Sequence, residues 1–209
     1  MSNLVKRRAL LSAMLACVAR PALSQGVDDP LLRLFAELGA HSERRARFSE
    51  RKFSALLKAP VESSGTLIFR APGYLEKRTV EPHRETVKIE GNVVSYESAA
   101  VRGAAQKRTF AVSEAPLLAA LIESLRATLG GDLPALRRHY NVSFSAANAQ
   151  KEWQLTLVPR ERALLDAVSK VVLRGAGSEV NAIEIVEANG DLTLMQISAV
   201  QIPSAPIKK

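Results

Sequence analysis

The side chains that could carry acid–base or metal chemistry are scattered along this chain. The three histidines, His41, His83 and His139, lie far apart, and none belongs to an H-x-H or H-E-x-x-H pair of the kind that binds zinc. His83 lies in a predicted turn, where a solvated residue is more common than a catalytic base. Asp166 and Asp191 lie beside turns, where capping and turn hydrogen bonds explain an acidic residue. We therefore predict no catalytic residue, no metal ligand and no cofactor.

The motifs of common phosphate, nucleotide and acyl-transfer chemistry are also absent from the sequence. It contains no G-x-S-x-G elbow, no Walker A loop and no G-x-G-x-x-G fingerprint. Because a catalytic triad is recognised by geometry rather than by spacing, a periplasmic enzyme or accessory protein acting on lipids remains an alternative. In that alternative a buried acid or His139 would act. A strongly shifted pKa inside an apolar pocket would favour it.

The composition is that of a globular protein and argues against nucleic-acid binding. The 209 residues are 47% hydrophobic and 24% charged, which fits a single domain. Four of the 29 basic residues lie within residues 1–24, which contain no acid, so 25 basic and 21 acidic residues remain. Their signs alternate along the chain, as on a solvated surface. The single cysteine, Cys17, allows neither a disulfide framework nor a thiolate zinc site.

The N-terminus has the pattern of an export signal. Basic residues at 6–8 precede an apolar run at 9–19, and the small residues Ala22 and Ser24 follow. The run is too short to cross a bilayer, which needs about twenty residues. We predict a signal peptide over 1–24, a single domain over 25–209 and a periplasmic location. A twin-arginine signal, a lipid anchor at Cys17 and a buried N-terminal helix are the alternatives.

The pattern of apolar residues first has a helical period and then a period of two. Asp28-Asp29-Pro30 is a typical helix start, and leucines recur at helical spacing after it. From Ala46 onward, alternating segments are separated by proline, glycine and asparagine turns. The predicted strands are 46–58, 62–71, 73–80, 84–90, 92–98, 106–112, 141–147, 152–158, 168–175, 180–187 and 191–202.

This series predicts a fold that is mainly β with some α. Consecutive antiparallel strands with short turns form one curved sheet or open barrel of about eleven strands, and a sheet of this length must curl. A leucine-rich helical block at 114–129 interrupts the series and ends at Gly130-Gly131. We expect the helices to cover the open face of the sheet.

Several strands are apolar on both faces, which indicates an apolar interior of some kind. The runs Thr66-Leu67-Ile68-Phe69 and Lys170-Val171-Val172-Leu173 do not alternate cleanly. They fit a sheet that is covered by helices on one side and lined with apolar residues. An ordinary core and an apolar ligand cavity are both compatible with this pattern.

The order of glycine, proline and aromatic positions provides a family resemblance. The matching positions in the first half are Gly65-Thr66-Leu67, Pro72, Pro82, Glu85, Gly91 and Tyr96. Those in the second half are Tyr140-Asn141-Val142, Trp153-Gln154-Leu155, Pro159, Ile183-Glu184-Ile185 and Gly190-Asp191-Leu192-Thr193. With these features the chain resembles, loosely over residues 28–200, the LolA family of periplasmic carriers of outer-membrane lipoproteins.

The resemblance implies a carrier rather than an enzyme. It implies an unclosed antiparallel barrel, lidded by helices, with a hydrophobic cavity for the acyl chains of a lipoprotein or another lipidic ligand. The cargo would pass from an inner-membrane exporter to an outer-membrane acceptor, and we expect a monomer. The cavity candidates, chosen by strand position and size, are Leu67, Phe69, Tyr74, Val87, Ile89, Val94, Leu155, Leu157, Ile183, Ile185 and Leu194. The lid candidates are Leu117, Leu118, Leu121, Ile122 and Leu125.

The sequence also departs from the pattern of the lipoprotein carriers. Their arginine just before the first proline, which bonds to the lid, is Ala71 here, and Arg70 precedes it. Lys77 replaces the tryptophan that follows. We therefore expect a divergent carrier whose lid opens more easily. A further alternative is a structural module that binds an exported partner through a sheet edge.

Overall fold

The computed structural model describes residues 29–99, 104–147 and 151–200. The predicted signal peptide lies outside these residues. The helices in the described ranges are α1 (Pro30–Gly39), α2 (Pro116–Leu129), α3 (Leu133–His139) and α4 (Arg162–Leu165). The strands are β1 (Glu43–Phe53), β2 (Val61–Arg70), β3 (Tyr74–Glu81), β4 (Glu85–Glu90), β5 (Val93–Ser98), β6 (Gln106–Ala111), β7 (Tyr140–Ala147), β8 (Glu152–Pro159), β9 (Val168–Ala176), β10 (Glu179–Glu187) and β11 (Leu192–Ala199). No helix in the described ranges is long and apolar enough to span a bilayer.

All eleven strands belong to one antiparallel sheet. Its order is β6-β5-β4-β3-β2-β1-β11-β10-β9-β8-β7, so two meanders meet where β1 pairs with β11. The terminal strands of this order, β6 and β7, do not pair with each other in the described part of the chain, and the sheet is not closed. The predicted fold, a mainly β protein with an unclosed antiparallel sheet and covering helices, is confirmed.

The first helix shows how the sequence packs a helix against this sheet. Asp29 caps α1 by accepting a hydrogen bond from the backbone N–H of Leu31 at 2.9 Å, and Pro30 occupies the first turn. The residues that α1 buries recur at helical spacing and form one stripe. They are Leu31, Leu34, Phe35 and Leu38. We call the sheet face that they cover the inner face, and the other the outer face.

The turn after α2 brings the helices close together. Gly131 has a φ of 75°, which glycine adopts without strain. A Cβ at this position would lie 2.4 Å from the carbonyl oxygen of Phe35 and 2.9 Å from the Cα of Gly39. The end of α1 therefore contacts backbone in the α2–α3 turn directly.

The first predicted strand was wrong at both ends. It was expected at 46–58, whereas β1 begins at Glu43 and ends at Phe53. Beyond Phe53 the chain turns, because Ser54 accepts hydrogen bonds from the next backbone N–H groups: its carbonyl from Leu57 at 3.0 Å and its side chain from Leu56 at 3.4 Å. These N–H groups are therefore not used in the sheet. Residues 54–60 form a loop, which we call the 54–60 loop.

Replacing Gly65 with alanine is expected to destabilise the sheet by about 2–3 kcal/mol. A Cβ at Gly65 would lie 1.9 Å from the carbonyl oxygen of Arg78, where the β2–β3 register shifts. The backbone would have to separate to admit it. Urea unfolding measures the change, with Gly73→Ala as control, since a Cβ there meets only the flexible side chain of Arg126 at 3.7 Å. Equal stability of the two variants would contradict this account.

Candidate functional site

Two apolar clusters lie on the inner face beneath the helices. Directly opposed residues of an antiparallel pair share a face, so the register identifies the members from each strand. The α1-side cluster joins α1, α3 and the end of α2 to β7–β9, and its buried members include Leu38, Leu133, Leu136, Leu155, Leu157 and Leu173. The α2-side cluster joins the start of α2 to β3–β6 through Leu75, Val87, Ile89, Val94, Phe110, Leu118 and Ile122.

Between the clusters, the central strands carry apolar side chains that are only half-buried. Leu67, Met195 and Ile197 belong to neither cluster, and Ile183 and Ile185 border the α1-side cluster. The register places these five on the inner face around the buried Phe48. We call this set, Phe48, Leu67, Ile183, Ile185, Met195 and Ile197, the central floor. It is a continuous apolar surface that the described helices only partly cover.

A polar strip borders the central floor on the inner face. The ammonium of Lys77 donates to both carboxylate oxygens of Glu50 at 2.9 and 2.8 Å, and it lies 5.0 Å from the ring centroid of Phe48. The hydroxyl of Ser63 donates to Glu50 at 3.2 Å. Farther along, the Tyr96 hydroxyl donates to Glu85 at 3.2 Å. The inner face therefore offers an apolar surface beside paired charges, as an amphipathic ligand requires.

Arg44 connects α1 to the sheet. It lies on β1, and its guanidinium donates to the carbonyl of Leu38 at 2.8 Å, in the last turn of α1, and to that of Ser178 at 2.7 Å in the β9–β10 turn. Burial lowers the pKa of Arg44, and the carboxylate of Glu179 at 3.8 Å acts in the opposite direction. Carbonyls at a helix C-terminus lack partners within the helix, so this contact satisfies one of them.

Arg126 connects α2 to the sheet, but here the arginine lies on the helix and the carbonyls lie in turns of the sheet. It lies in the last turn of α2, and its guanidinium donates to the carbonyl of Gly73 at 2.9 Å and to that of Gly91. These carbonyls lie in the β2–β3 and β4–β5 turns. The side chain of Arg126 is only 15% exposed. Its Nη2 donates to the two turn carbonyls, and its Nη1 donates to the carboxylate of Glu123 at 3.1 Å. One helix-borne cation thus attaches the lid to two hairpin turns.

The predicted cavity residues fall into two groups, according to the face of the sheet on which they lie. Leu155 and Leu157 are fully buried in the α1-side cluster, and Phe69 is buried on the inner face. Nine of the eleven, all but Tyr74 and Leu194, lie on the inner face by register: Leu67, Phe69, Val87, Ile89, Val94, Leu155, Leu157, Ile183 and Ile185. Tyr74 and Leu194 lie on the outer face, opposite Arg70 and Arg51, and are therefore separated from the other nine.

The predicted lid residues all lie in α2. Leu118 and Ile122 pack in the α2-side cluster, where Ile122 is buried. Leu125 is half-buried. The side chains of Leu117 and Leu121 lie outside the described part of the structure. The leucine-rich block therefore forms a helix over the inner face.

The residues considered for acid–base chemistry are dispersed. His41 and His83 are exposed, and His139 pairs with Glu161 at 2.8 Å. Asp166 pairs with Arg162 at 3.2 Å. On the inner face, burial raises the pKa of the Tyr140 hydroxyl. In the described ranges, no three His, Cys, Asp or Glu side chains are grouped so that they could hold a metal ion.

One pocket among the described residues lies away from the central floor. It has a volume of about 550 Å³ and lies at the ends of β3–β6. Its lining is mostly polar and charged and includes Arg78, Arg84, Glu85, Glu97, Gln106 and Lys107. None of the eleven predicted cavity residues lines it.

The family is decided by a comparison of the sequence with family models. Residues 21–207 match the model of the outer membrane lipoprotein carrier protein LolA-like family. The chain belongs to this LolA-like family. The resemblance noted in the sequence is therefore confirmed. None of the curated proteins matches the chain.

Solved structures similar to this LolA-like chain share little of its sequence. A LolA superfamily protein from Nitrosomonas europaea is 12% identical and has a TM-score of 0.44. Its alignment covers 85% of this chain and 93% of the Nitrosomonas chain. The complex of MucA and MucB from Pseudomonas aeruginosa is 13% identical over 84% of this chain and 58% of its own, with a TM-score of 0.41. A domain from Vibrio parahaemolyticus assigned to outer-membrane lipoprotein sorting is 11% identical over 84% of this chain and 94% of its own, with a TM-score of 0.31.

The arginine of α2 is the functional candidate that the sequence interpretation of this LolA-like chain missed. The sequence has Ala71 where the carriers have an arginine, and this difference predicted a lid that opens easily. Arg126 lies four residues after Ile122 and eight after Leu118, so it falls on the apolar stripe of the helix. A lone cation at that position was the signal that could have revealed it.

Proposed function

We propose that this LolA-like protein is a periplasmic carrier that binds the acyl chains of a lipoprotein or another lipidic ligand. The observation that carries the proposal is the central floor, a half-covered apolar surface on the inner face of an unclosed sheet. Each buried acyl CH₂ contributes about 0.8 kcal/mol to the free energy of binding. Binding therefore needs an apolar surface and no catalytic residue. In this proposal residues 25–209 form the carrier domain, released from a signal peptide at 1–24.

The polar strip assigns an orientation to the ligand. An acyl chain lies on the central floor, and its polar end lies beside Glu50 and Lys77. The two charges already neutralise each other at 2.8 Å, so they can accept a hydrogen-bonding head group without burying a net charge. One carboxylate and one ammonium, paired with each other, favour a neutral amide or ester group over a bare carboxylate, whose charge would have no free partner there.

Access to the floor is governed by α2 rather than by α1. The α1-side cluster is dense, with several side chains that are not exposed at all, so α1 acts as a fixed wall. The α2-side cluster has few fully buried members, and Arg126 attaches the end of α2 to the β2–β3 and β4–β5 turns, beside the hydrogen bond of Ser124 with Tyr140. Release of this attachment exposes the floor. Cargo is then exchanged with an inner-membrane exporter and an outer-membrane acceptor.

Replacing Leu67 with glutamine is expected to weaken acyl binding at least tenfold while the protein stays folded. Loss of one apolar side chain that the ligand would bury lowers the free energy of binding by about 1.5–3 kcal/mol. A change of about 1.4 kcal/mol corresponds to a tenfold change in affinity. Titration with a fluorescent fatty acid and with a diacylated peptide measures the effect. Glutamine is chosen because a new acid would pair with Lys77, which is opposite Leu67 in the sheet.

Ile68→Gln is the matched control for this experiment. Ile68 is the next residue, is also half-buried and points to the outer face. We expect it to bind both probes like the unaltered protein. Equal weakening by the two variants, or by neither, would contradict a ligand site on the central floor.

A further inference from the structure

Exposed apolar side chains are concentrated at one end of the sheet. Because the strands alternate in direction, the β1–β2, β3–β4, β8–β9 and β10–β11 connections all lie at the same rim, which we call the β1–β2 rim. Nine large hydrophobic side chains of the described residues are exposed. Six of them belong to this rim: Leu56, Leu57, Val61, Val80, Val158 and Leu165.

The 54–60 loop presents the most exposed of these side chains. Leu56 is 95% exposed and Leu57 is 45% exposed, at the tip of the loop. The two hydrogen bonds to Ser54 hold the turn, so the leucines are displayed by an ordered backbone. Exposed single leucines are ordinary, but two adjacent ones at a projecting tip form a surface that water does not favour.

The charge of the 54–60 loop indicates what the leucines contact. Lys58 follows them directly, and the 54–60 loop contains no acidic residue. Lys58 forms no ion pair within the described residues, and the nearest acids along the chain, Glu50 and Glu62, are paired with Lys77 and Arg51. A projecting apolar tip followed by an unpaired lysine fits a bilayer interface, where leucines enter the acyl region and lysine reaches the phosphates. A protein pocket would instead need a concave partner for a convex tip.

We propose that the 54–60 loop docks this protein onto an anionic lipid bilayer. Insertion is shallow, because the exposed leucine pair occupies only the tip of a short loop. The base of the loop is held by ion pairs of Arg51 with Glu62 and of Lys52 with Glu187. Docking is therefore reversible. This inference concerns a surface outside the central floor and goes beyond the proposed carrier function.

Vesicle co-sedimentation tests this proposal with residues 25–209, the proposed carrier domain. The vesicles contain phosphatidylcholine alone or phosphatidylcholine with phosphatidylglycerol. We expect binding to the anionic vesicles, a loss of at least tenfold in the double variant Leu56→Ser/Leu57→Ser, and a smaller loss in Lys58→Glu on anionic vesicles only. Val93→Ser is the matched control, because Val93 is 46% exposed at the other rim. It should bind like the unaltered protein.

A second readout places the loop in the membrane directly. Leu56→Trp should show blue-shifted fluorescence on anionic vesicles and quenching by shallow brominated lipids. The proposal is overturned if the protein binds no vesicle, if the double serine variant binds unchanged, or if Leu56→Trp is not quenched. Leu67→Gln separates the two proposals, since it should lose acyl binding and still dock.

Discussion

Replacing Leu155 with aspartate is expected to prevent stable folding. Leu155 is 0% exposed in the α1-side cluster, where it lies opposite Leu173 and Phe144 on the inner face. Truncating such a leucine to alanine costs about 2–5 kcal/mol, and an unpaired buried carboxylate adds a further desolvation cost. The sum is comparable with the whole stability of a domain. Circular dichroism during thermal unfolding measures the loss.

Val158→Asp is the control for this variant. Val158 lies three residues later on the same strand and is exposed, so its substitution should leave the transition close to that of the unaltered protein. A folded Leu155→Asp protein that fails only in ligand binding would contradict the assignment to the core. It would instead support the lining role that the sequence predicted for Leu155.

Replacing Arg126 with alanine is expected to raise the rates of acyl uptake and release about tenfold or more. The variant loses two hydrogen bonds from a cation to the carbonyls of Gly73 and Gly91, each contributing about 1.5–3 kcal/mol. The α2 helix then opens more often. Stopped-flow fluorescence with a labelled fatty acid measures both rates, and amide hydrogen exchange of α2 reports the opening.

Two further variants define what Arg126 does. Glu123→Ala removes only the ion pair within the helix and should leave the rates nearly unchanged. Arg126→Lys keeps the charge but cannot span both turns with one planar group, so intermediate rates are expected. Unchanged exchange in Arg126→Ala would show that the other contacts of α2, its apolar packing and the hydrogen bond of Ser124 with Tyr140, are enough to hold the helix.

The sequence predicted the fold well, because strand period and turn residues are local signals. The eleven segments and the helical block were all placed, and the main boundary error was at 54–58. There an apolar pair followed a true strand and was taken as its continuation. The turn depends on two hydrogen bonds to Ser54, and such bonds leave no periodicity in the sequence.

The candidate site was harder to predict, because the face of a side chain depends on register. Leu194 and Met195 are adjacent and apolar, and only the pairing with β1 places Met195 on the inner face and Leu194 on the outer face. The difference between Leu155, buried under α1, and Leu67, half-covered, depends on where the helices lie. That position is a tertiary property which no local pattern encodes.

Strands β6 and β7, which do not pair with each other within the described residues, have a consequence for the proposed carrier function. In a closed barrel the diameter is fixed by the number and stagger of the strands, and widening it breaks a ladder of hydrogen bonds. Here no such ladder joins β6 to β7 within the described residues, so the gap between them can change without that loss. The exposed Lys107 and Arg108 on β6 also discourage a second sheet from pairing there. In that proposed function the interior can thus adjust its width to ligands with different numbers of chains, while the charged β6 edge resists pairing with another sheet.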